Sequence, residues 1–242
     1  MKLTVLTYNV FGMPWGLTSI ESVLIWCFCK TDCEILCFQE VFSREHRKSI
    51  EEICSRKESQ WNCWFPTTPT SLLSSLFSSF ESISGLCILT RKTLEVLEAP
   101  RFFPFAVAAN LDRLVAKGFF HLVCKKETTV FNLITTHFQS DFTECRCRIR
   151  YQGERIQQEI QLYQYAKHMD NLVLIGDFNM SRFYHFHFIN SYREPTHTTG
   201  ESLDHCLVLP NSKISCEDAV YFHNMSLSDH IPVQFRLSFR KT

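Results

Sequence analysis

Polar and apolar residues alternate with a period of two through Lys2–Val10, which predicts a strand with one face in a core. Residues 34–38 (Glu-Ile-Leu-Cys-Phe) form a short, nearly continuous apolar run and read as a buried strand. Between them, residues 18–31 take helical spacing. Ile20, Val23, Leu24 and Cys27 share a face, Thr18 or Ser19 is placed to cap, and Glu21 falls in the first turn. Residues 43–57 also predict a helix, with Ser43 as N-cap and a charged outer face. Strands are expected at 61–65, 86–89, 94–97, 118–124, 129–135, 172–175, 203–209, 214–221 and 232–239. The best helical pattern spans 150–168, where Ile156, Ile160, Tyr163 and Lys167 follow one another at helical intervals. Strands outnumber helices, so a two-sheet sandwich flanked by helices fits better than a doubly wound sheet.

At 242 residues the chain can bury a core without a metal or disulfide staple, and one domain over 1–242 is expected. An apolar fraction of 45% with 21% charged residues excludes wholesale disorder. Lys+Arg and Asp+Glu balance at 25 each, which removes the strong basic field that a nucleic-acid partner would exploit. The 12 cysteines show no paired zinc-type spacing and read as reduced, structural thiols. No run reaches the ~20 apolar residues of a spanning helix. The N-terminal segment lacks a small-residue cleavage site, so a cytoplasmic protein is expected, with peripheral membrane contact as a further expectation. A monomer is expected as well.

The informative polar residues sit at the ends of these apolar runs. Asn9 follows Leu3–Tyr8, Gln39-Glu40 follows Ile35–Phe38, and Thr136-His137 follows Val130–Ile134. Gly176-Asp177-Phe178-Asn179 follows Leu172–Ile175, Asp204-His205 follows Leu203, and Ser228-Asp229-His230 precedes Ile231–Phe239. Each signal is weak alone; Gly-Asp-x-Asn by itself is a turn signature. Together they narrow the chemistry. Glu40, Asp229, Asn9 and Asn179 offer hard oxygen ligands suited to Mg2+. His137 and His230 can donate to phosphate oxygens or move protons near neutral pH, and Asp204 can hold one imidazole in a fixed tautomer. No nucleophilic Ser or Cys pattern accompanies them, so metal-assisted attack of water on a phosphate ester is the simplest use of the set.

In this order, the strings Thr7-Tyr8-Asn9-Val10, Gln39-Glu40-Val41, Thr136-His137, Gly176-Asp177-Phe178-Asn179, Leu203-Asp204-His205 and Ser228-Asp229-His230 resemble the motifs of the endonuclease/exonuclease/phosphatase superfamily, over residues 3–237. The resemblance implies the DNase I-like α/β fold, a four-layered α/β sandwich. In it, two mainly antiparallel or mixed β-sheets pack face to face and are flanked by helices, with a Mg2+-dependent phosphodiesterase or phosphatase site between the sheets. Within the superfamily the chain is most similar to neutral and bacterial sphingomyelinases. Asn9-Val10-Phe11-Gly12-Met13-Pro14-Trp15 resembles their first motif, and Thr136-His137-Phe138-Gln139-Ser140 their Thr-His-Leu-Gln segment. A loop with Cys145 and then Arg155, Gln158 and Ile160 follows, and Asp112 to Phe119 resembles their Asp-x4-Lys-Gly segment.

The resemblance implies a role for each residue. Glu40 is the principal ligand of Mg2+ (Mn2+ being the alternative ion), Asn9 supports the metal or the phosphate, and Asp229 lies on the metal side. Asp177 and Asn179 sit against the phosphate and the attacking or leaving oxygen. His230 is the proton-transferring histidine, oriented by Asp204, and His137 donates to the phosphoryl oxygens. Asp112 and Lys117 form an exposed pair that orders a loop near the substrate and contributes little stability. Bilayer contact is expected from residues 100–105, 72–80 or 183–188, in place of the long hydrophobic hairpin of the secreted bacterial enzymes. The expected substrate is sphingomyelin or a related phospholipid. The alternatives are a nuclease or DNA-repair phosphodiesterase, an inositol-phosphate phosphatase, and a non-enzymatic binding module on the same fold.

Overall fold

The computed structural model describes residues 1–12, 19–67, 84–141, 151–190, 193–225 and 227–240. Expectations for Met13-Pro14-Trp15, Thr18, the Leu72–Phe80 segment and Cys145 lie outside the described residues. The first half of the chain forms β1 (Lys2–Asn9), α1 (Ile20–Lys30), β2 (Ile35–Gln39), α2 (Arg44–Ser55), β3 (Trp61–Trp64) and β4 (Cys87–Arg91). Then come β5 (Glu95–Val96), β6 (Arg101–Pro104), a 3-10 turn (Asn110–Arg113), β7 (Gly118–Lys126), β8 (Thr129–His137) and α3 (Gln152–Ala166). The chain closes with β9 (Leu172–Asp177), β10 (His187–Phe188), β11 (Asp204–Val208), β12 (Ile214–Tyr221) and β13 (Val233–Phe239). Both capping expectations hold: Ser19 Oγ accepts from Ser22 N at 3.3 Å, and Ser43 Oγ from His46 N at 3.5 Å.

One sheet runs β12-β13-β1-β2-β4-β3; the other runs β10-β11-β9-β8-β7-β5, with β6 also paired to β7. Each sheet holds one parallel pair, β1/β2 in the first and β8/β9 in the second, and every other pairing is antiparallel. A parallel pair needs a crossover, and here α1 joins β1 to β2 while α3 stands between β8 and β9 in the chain. The four-layered DNase I-like sandwich is therefore the fold of this chain.

Burial follows strand parity. Leu3, Val5, Ile35 and Cys37 from the first sheet meet Leu133, Val173, Ile175 and Cys206 from the second, forming the central layer. On the outer face of the first sheet, Leu6, Tyr8, Leu36 and Phe38 pack on Ile20, Val23 and Leu24 of α1 and Ile50 of α2. Ile134, Leu174 and Leu207 cover the outer face of the second sheet together with Leu162 and Ala166 of α3. Seven of the ten described cysteines lie buried in these layers, as small apolar fillers, and all ten are free thiols.

Two expectations change. Ile160 does not lie on the buried face of α3; it is exposed, and the inward side carries Arg155, Gln158, Glu159, Leu162 and Ala166. That face is polar because it anchors loops. Gln158 accepts from Gln139 N (2.8 Å) and donates to Val107 O (2.8 Å), while Glu159 accepts from Tyr184 N and His185 N at 2.7 Å each. The aromatic segments proposed for bilayer contact are mostly core. Phe103, in the unforeseen strand β6, stacks on Phe119 at 5.2 Å; Phe105 and Phe186 are buried, and Phe183 packs edge-on against Phe178 at 5.1 Å.

Gly176 pairs with Thr136 in the parallel pair β8/β9, one residue before Asp177, at φ +152°, and a Cβ there would lie 2.2 Å from Thr136 O. Gly176→Ala should therefore destabilise the fold by about 3 kcal/mol, through strain and loss of the strand pairing. Urea unfolding measures this, and a loss below about 1 kcal/mol would show that the pair can spread to admit the methyl group.

Candidate active site

The parity that builds the central layer also builds the site. Beyond Leu3 and Val5 on β1, the next inward positions are Thr7 and Asn9; beyond Cys37 on β2 comes Gln39. Thr135 and His137 continue the inward face of β8, Asp177 that of β9, and Asp204 begins that of β11. At this rim the layer between the sheets turns polar while staying closed: Asn9, His137, Asp177 and Asp204 are each at most 2% exposed. Backbone register aligns them, with His137 and Asp204 both paired opposite Asp177. Underneath, Gln39 joins the sheets, accepting from Thr7 Oγ1 at 3.2 Å and donating to Thr135 Oγ1 at 3.3 Å.

Glu40 departs from the parity. Strand alternation would put it on the outer face with Leu36 and Phe38, but its left-handed backbone (φ +62°) turns the carboxylate back to the rim. There it accepts from Asn9 Nδ2 at 3.2 Å. The loop after it is pinned by Phe42 N and Ser43 N, which both donate to Gly12 O at 3.2 Å.

Asp177 is the hub. Its Oδ2 accepts from Asn9 Nδ2 at 3.0 Å and lies 3.5 Å from His137 Nε2 and 3.6 Å from His230 Nε2. Its Oδ1 accepts from Asn179 N at 2.9 Å. His230 Nδ1 donates to Asp204 Oδ2 at 2.7 Å, and Asp204 is fixed through Thr196, whose Oγ1 accepts from Asp204 N at 3.1 Å. Burial alone would lower the His230 pKa, but Asp204, then Asp177, outweigh it and push the imidazole up to about 10. Burial likewise opposes ionisation of Asp177, yet the facing imidazoles, His230 ahead of His137, and the donors Asn9 and Asn179 outweigh it and lower its pKa. At neutral pH the pair is thus carboxylate and imidazolium.

The two histidines differ in charge. Burial, then the ammonium of Lys117, hold His137 well below the usual imidazole value, so it stays neutral. Lys117 Nζ donates to His137 Nε2 at 2.9 Å and to Phe138 O at 3.0 Å. His137 Nε2 is therefore an acceptor here, and the ring proton sits on Nδ1, which has no hydrogen-bond partner among the described residues. Asp112 and Lys117 are also not the exposed pair expected. They stand 3.6 Å apart, almost wholly buried, and Asp112 further accepts from Ser140 N (2.8 Å) and Ser140 Oγ (2.9 Å). Gly118 permits this burial, since a Cβ there would lie 2.3 Å from Phe103 O.

Asp229 borders the same cleft, half-exposed, and lies 3.3 Å from His197 Nε2. His197 escaped the sequence reading because Thr196-His197-Thr198-Thr199-Gly200 is a polar turn with no apolar strand beside it to mark a strand end. Metal-ligand atoms gather within 4.8 Å in two groups among the described residues, Asp177–Asp204–His230 and His197–Asp229–His230; Glu40 belongs to neither. Glu40 nevertheless fits a hard cation. Its carboxylate is buried enough for its pKa to be raised, and Asn9 is its one hydrogen-bond donor among the described residues. A carboxylate with few donors beside a carboxamide is relieved by Mg2+, which keeps several waters of its own.

No protein-family model matches the sequence, and no curated protein matches it. Solved structures do. The human Nocturnin catalytic domain with bound sulfate superposes with a TM-score of 0.75 at 15% identity, covering 99% of this chain and 94% of that one. D. rerio TDP2 complexed with single-strand DNA product gives 0.72 at 13% identity, with 98% and 99% covered. Sphingomyelinase C from Streptomyces griseocarneus gives 0.67 at 18% identity, again with 98% and 99% covered. At these identities the likeness establishes the fold, and it does not choose between substrate classes.

Lys117→Met removes the cation from a buried pair and should cost about 3–5 kcal/mol, as for other broken buried pairs. Adding Asp112→Asn should restore a large part, because no unpaired carboxylate then remains. Denaturant unfolding of both variants decides it: a single-variant loss under about 1 kcal/mol would return the pair to the exposed, weakly contributing kind.

Proposed function

We propose that the chain is a Mg2+-dependent phosphodiesterase of the sphingomyelinase (phospholipase C) type, which hydrolyses a phospholipid diester by attack of water. The observation that carries the hydrolytic reading is the geometry at the rim: a buried Asp177 with its Oδ2 3.6 Å from His230 Nε2, and the other nitrogen of that imidazole held by Asp204 at 2.7 Å. Glu40, Asn9 and Asp229 would hold the Mg2+. When bound, the ion would neutralise charge on the phosphoryl group and orient it. Asp177 and Asn179 would position the attacking water, and the proton it loses as its oxygen bonds to phosphorus would pass through Asp177 to solvent, from which His230 is reprotonated after the leaving oxygen departs. His230, protonated at the start, would deliver its Nε2 proton to the departing oxygen, while Asp204 keeps Nδ1–H fixed. Lys117, buried beside the phosphate side of the cleft, supplies positive field there and keeps His137 neutral.

Three apolar side chains favour the lipid substrate. Phe11, two residues after Asn9, is 44% exposed, and Leu111 (58%) and Leu114 (47%) flank Asp112 on the neighbouring loop. Exposed apolar groups beside a phosphate site suit a bilayer surface better than a polyanion. The zero net charge of the chain points the same way, because nucleic-acid affinity rests mainly on phosphate neutralisation. The Phe rings of the 100–105 and 183–188 segments pack largely into the core, whereas Tyr184 is 67% exposed.

Purified protein assayed with Mg2+ should hydrolyse sphingomyelin in vesicles or mixed micelles, with little action on single- or double-stranded DNA or on inositol phosphates. EDTA should abolish turnover and Mg2+ restore it. Glu40→Gln should respond to Mg2+ only at much higher concentration, and His230→Ala should lose about 10²–10⁴-fold in turnover. Ready cleavage of DNA with sphingomyelin untouched would replace the lipid reading by the nuclease one. Full activity in EDTA would remove the metal from the mechanism.

A further inference from the structure

Three thiols share the outer layer of the first sheet beneath α2. Cys54 lies in the last turn of that helix, Cys63 on the edge strand β3, and Cys87 on β4. Alternation along β3 turns Cys63, with Trp61 and Phe65, toward the layer that holds α2, while Trp64 faces the central layer. Backbone register sets Cys63 opposite Leu89, so Cys87 stands two positions further along the same face of β4. Cys54 and Cys87 are at most 6% exposed, whereas Cys63 is partly open to solvent.

Contact sets Cys54 and Cys63 apart from the third thiol. The Cys54 thiol donates a hydrogen bond to the sulfur of Cys63 across the interface between α2 and β3. That donation is the largest influence on both groups. It lowers the pKa of Cys63, against burial and the Glu51 carboxylate, and raises that of Cys54, whose proton it engages. Arg47 adds positive field at Cys63; its guanidinium sits 4.6 Å over the Phe65 ring and pairs with Glu51 at 3.0 Å. Every other described thiol displaced from its ordinary value is pushed up, Cys87 included. The thiolate is the nucleophile of cysteine chemistry, and redox-sensing thiols combine low pKa, access to solvent and a resolving thiol beside them. Cys63 meets all three conditions.

We propose that Cys63 and Cys54 form a redox pair that a hydroperoxide oxidises, Cys63 attacking and Cys54 resolving, and that the resulting disulfide staples the end of α2 to β3. The Cys63 thiolate attacks one peroxide oxygen: an S–O bond forms, the O–O bond breaks, and the other oxygen leaves with a proton as alcohol, or as water from H2O2. This gives the Cys63 sulfenic acid. The Cys54 sulfur then attacks the Cys63 sulfur; the S–S bond forms, the S–O bond breaks, and hydroxide leaves as water with the Cys54 proton. Two electrons pass from the two sulfurs to the peroxide. A thiol reductant reverses the reaction by exchange. Cys87, wholly buried and held well above the ordinary thiol value, takes neither part. The proposal makes no use of the cleft and holds or fails whatever the chain hydrolyses.

The test uses the full, fully reduced chain. Limiting H2O2, followed by alkylation of the remaining thiols and peptide mapping by mass spectrometry, reports which cysteines have reacted. Cys29 is the internal reference, because it is the more exposed thiol. Cys63 should be oxidised at least about tenfold faster than Cys29, and a Cys54–Cys63 linked peptide should appear that dithiothreitol returns to two free thiols. Oxidised protein should unfold at higher urea concentration than reduced protein. Cys54→Ser keeps a donor beside Cys63 but removes the resolving sulfur, so the Cys63 sulfenic acid should accumulate and be trapped by dimedone. Cys63→Ser should leave Cys54 unoxidised. Oxidation of Cys29 ahead of Cys63, or a wild-type disulfide that joins Cys63 to any partner other than Cys54, overturns the proposal. So does recovery of Cys54 and Cys63 as free thiols after the other cysteines have reacted. The wild-type map decides the matter by itself if either variant fails to fold.

Discussion

A carboxylate closed off from water between two sheets needs compensation, and at Asp177 nearly every group at the rim helps to supply it. An isolated buried charge costs several kcal/mol even after relaxation. Asn9 reaches it from the first sheet, Asn179 N from its own turn, and His230 from the segment leading into β13. The result is an interlock: the charge cannot be satisfied unless the two sheets and the entry to β13 are all in place. Thr7, Gln39 and Thr135 continue the same logic one layer down, where polar side chains from both sheets satisfy one another across the core.

That interlock sets the division of labour. Asp177 and Asp204 together keep a proton on His230, whereas burial and Lys117 keep His137 neutral, although the rings approach the same Asp177 oxygen at nearly equal distance. Environment, not residue type, assigns the charge. Acid and acceptor groups therefore stand side by side at neutral pH, as the proposed hydrolysis requires. Lys117 also makes the Asp112 loop part of the site. The loop is bound to His137 through the ammonium and to Ser140 through Asp112, and it leaves Leu111 and Leu114 exposed to solvent. Charge order inside and apolar exposure outside are thus features of one short segment.

Much of this was legible in the sequence, and for a physical reason. Period-two patterning places Asn9, His137 and Asp177 at the ends of strands whose inward residues are apolar, so strand ends and site residues are found by the same signal. The order of the motifs then carried the fold. What escaped lay where patterning has no purchase. His197 sits in a polar turn; β6 was hidden because its aromatic residues resemble a surface wedge; and the inward face of α3 carries Arg155, Gln158 and Glu159, polar groups that a hydrophobic pattern assigns to solvent. The burial of Asp112 and Lys117 was equally invisible, since a charged pair in a polar loop reads as exposed and only its tertiary partners, His137, Phe138 O and Ser140, draw it inward.

The central claim is that His230 is an imidazolium at neutral pH because two buried carboxylates hold its proton. Nitrogen-15 NMR of histidine-labelled, metal-free protein tests it most directly, with His230→Gln identifying the resonances. The account predicts that both His230 nitrogens keep imidazolium shifts through neutral pH and titrate near 10, and that Asp204→Asn lowers that midpoint. Titration of His230 at or below the ordinary value of 6.5 would contradict it, and the charge order from which the proposed chemistry is built would have to be abandoned.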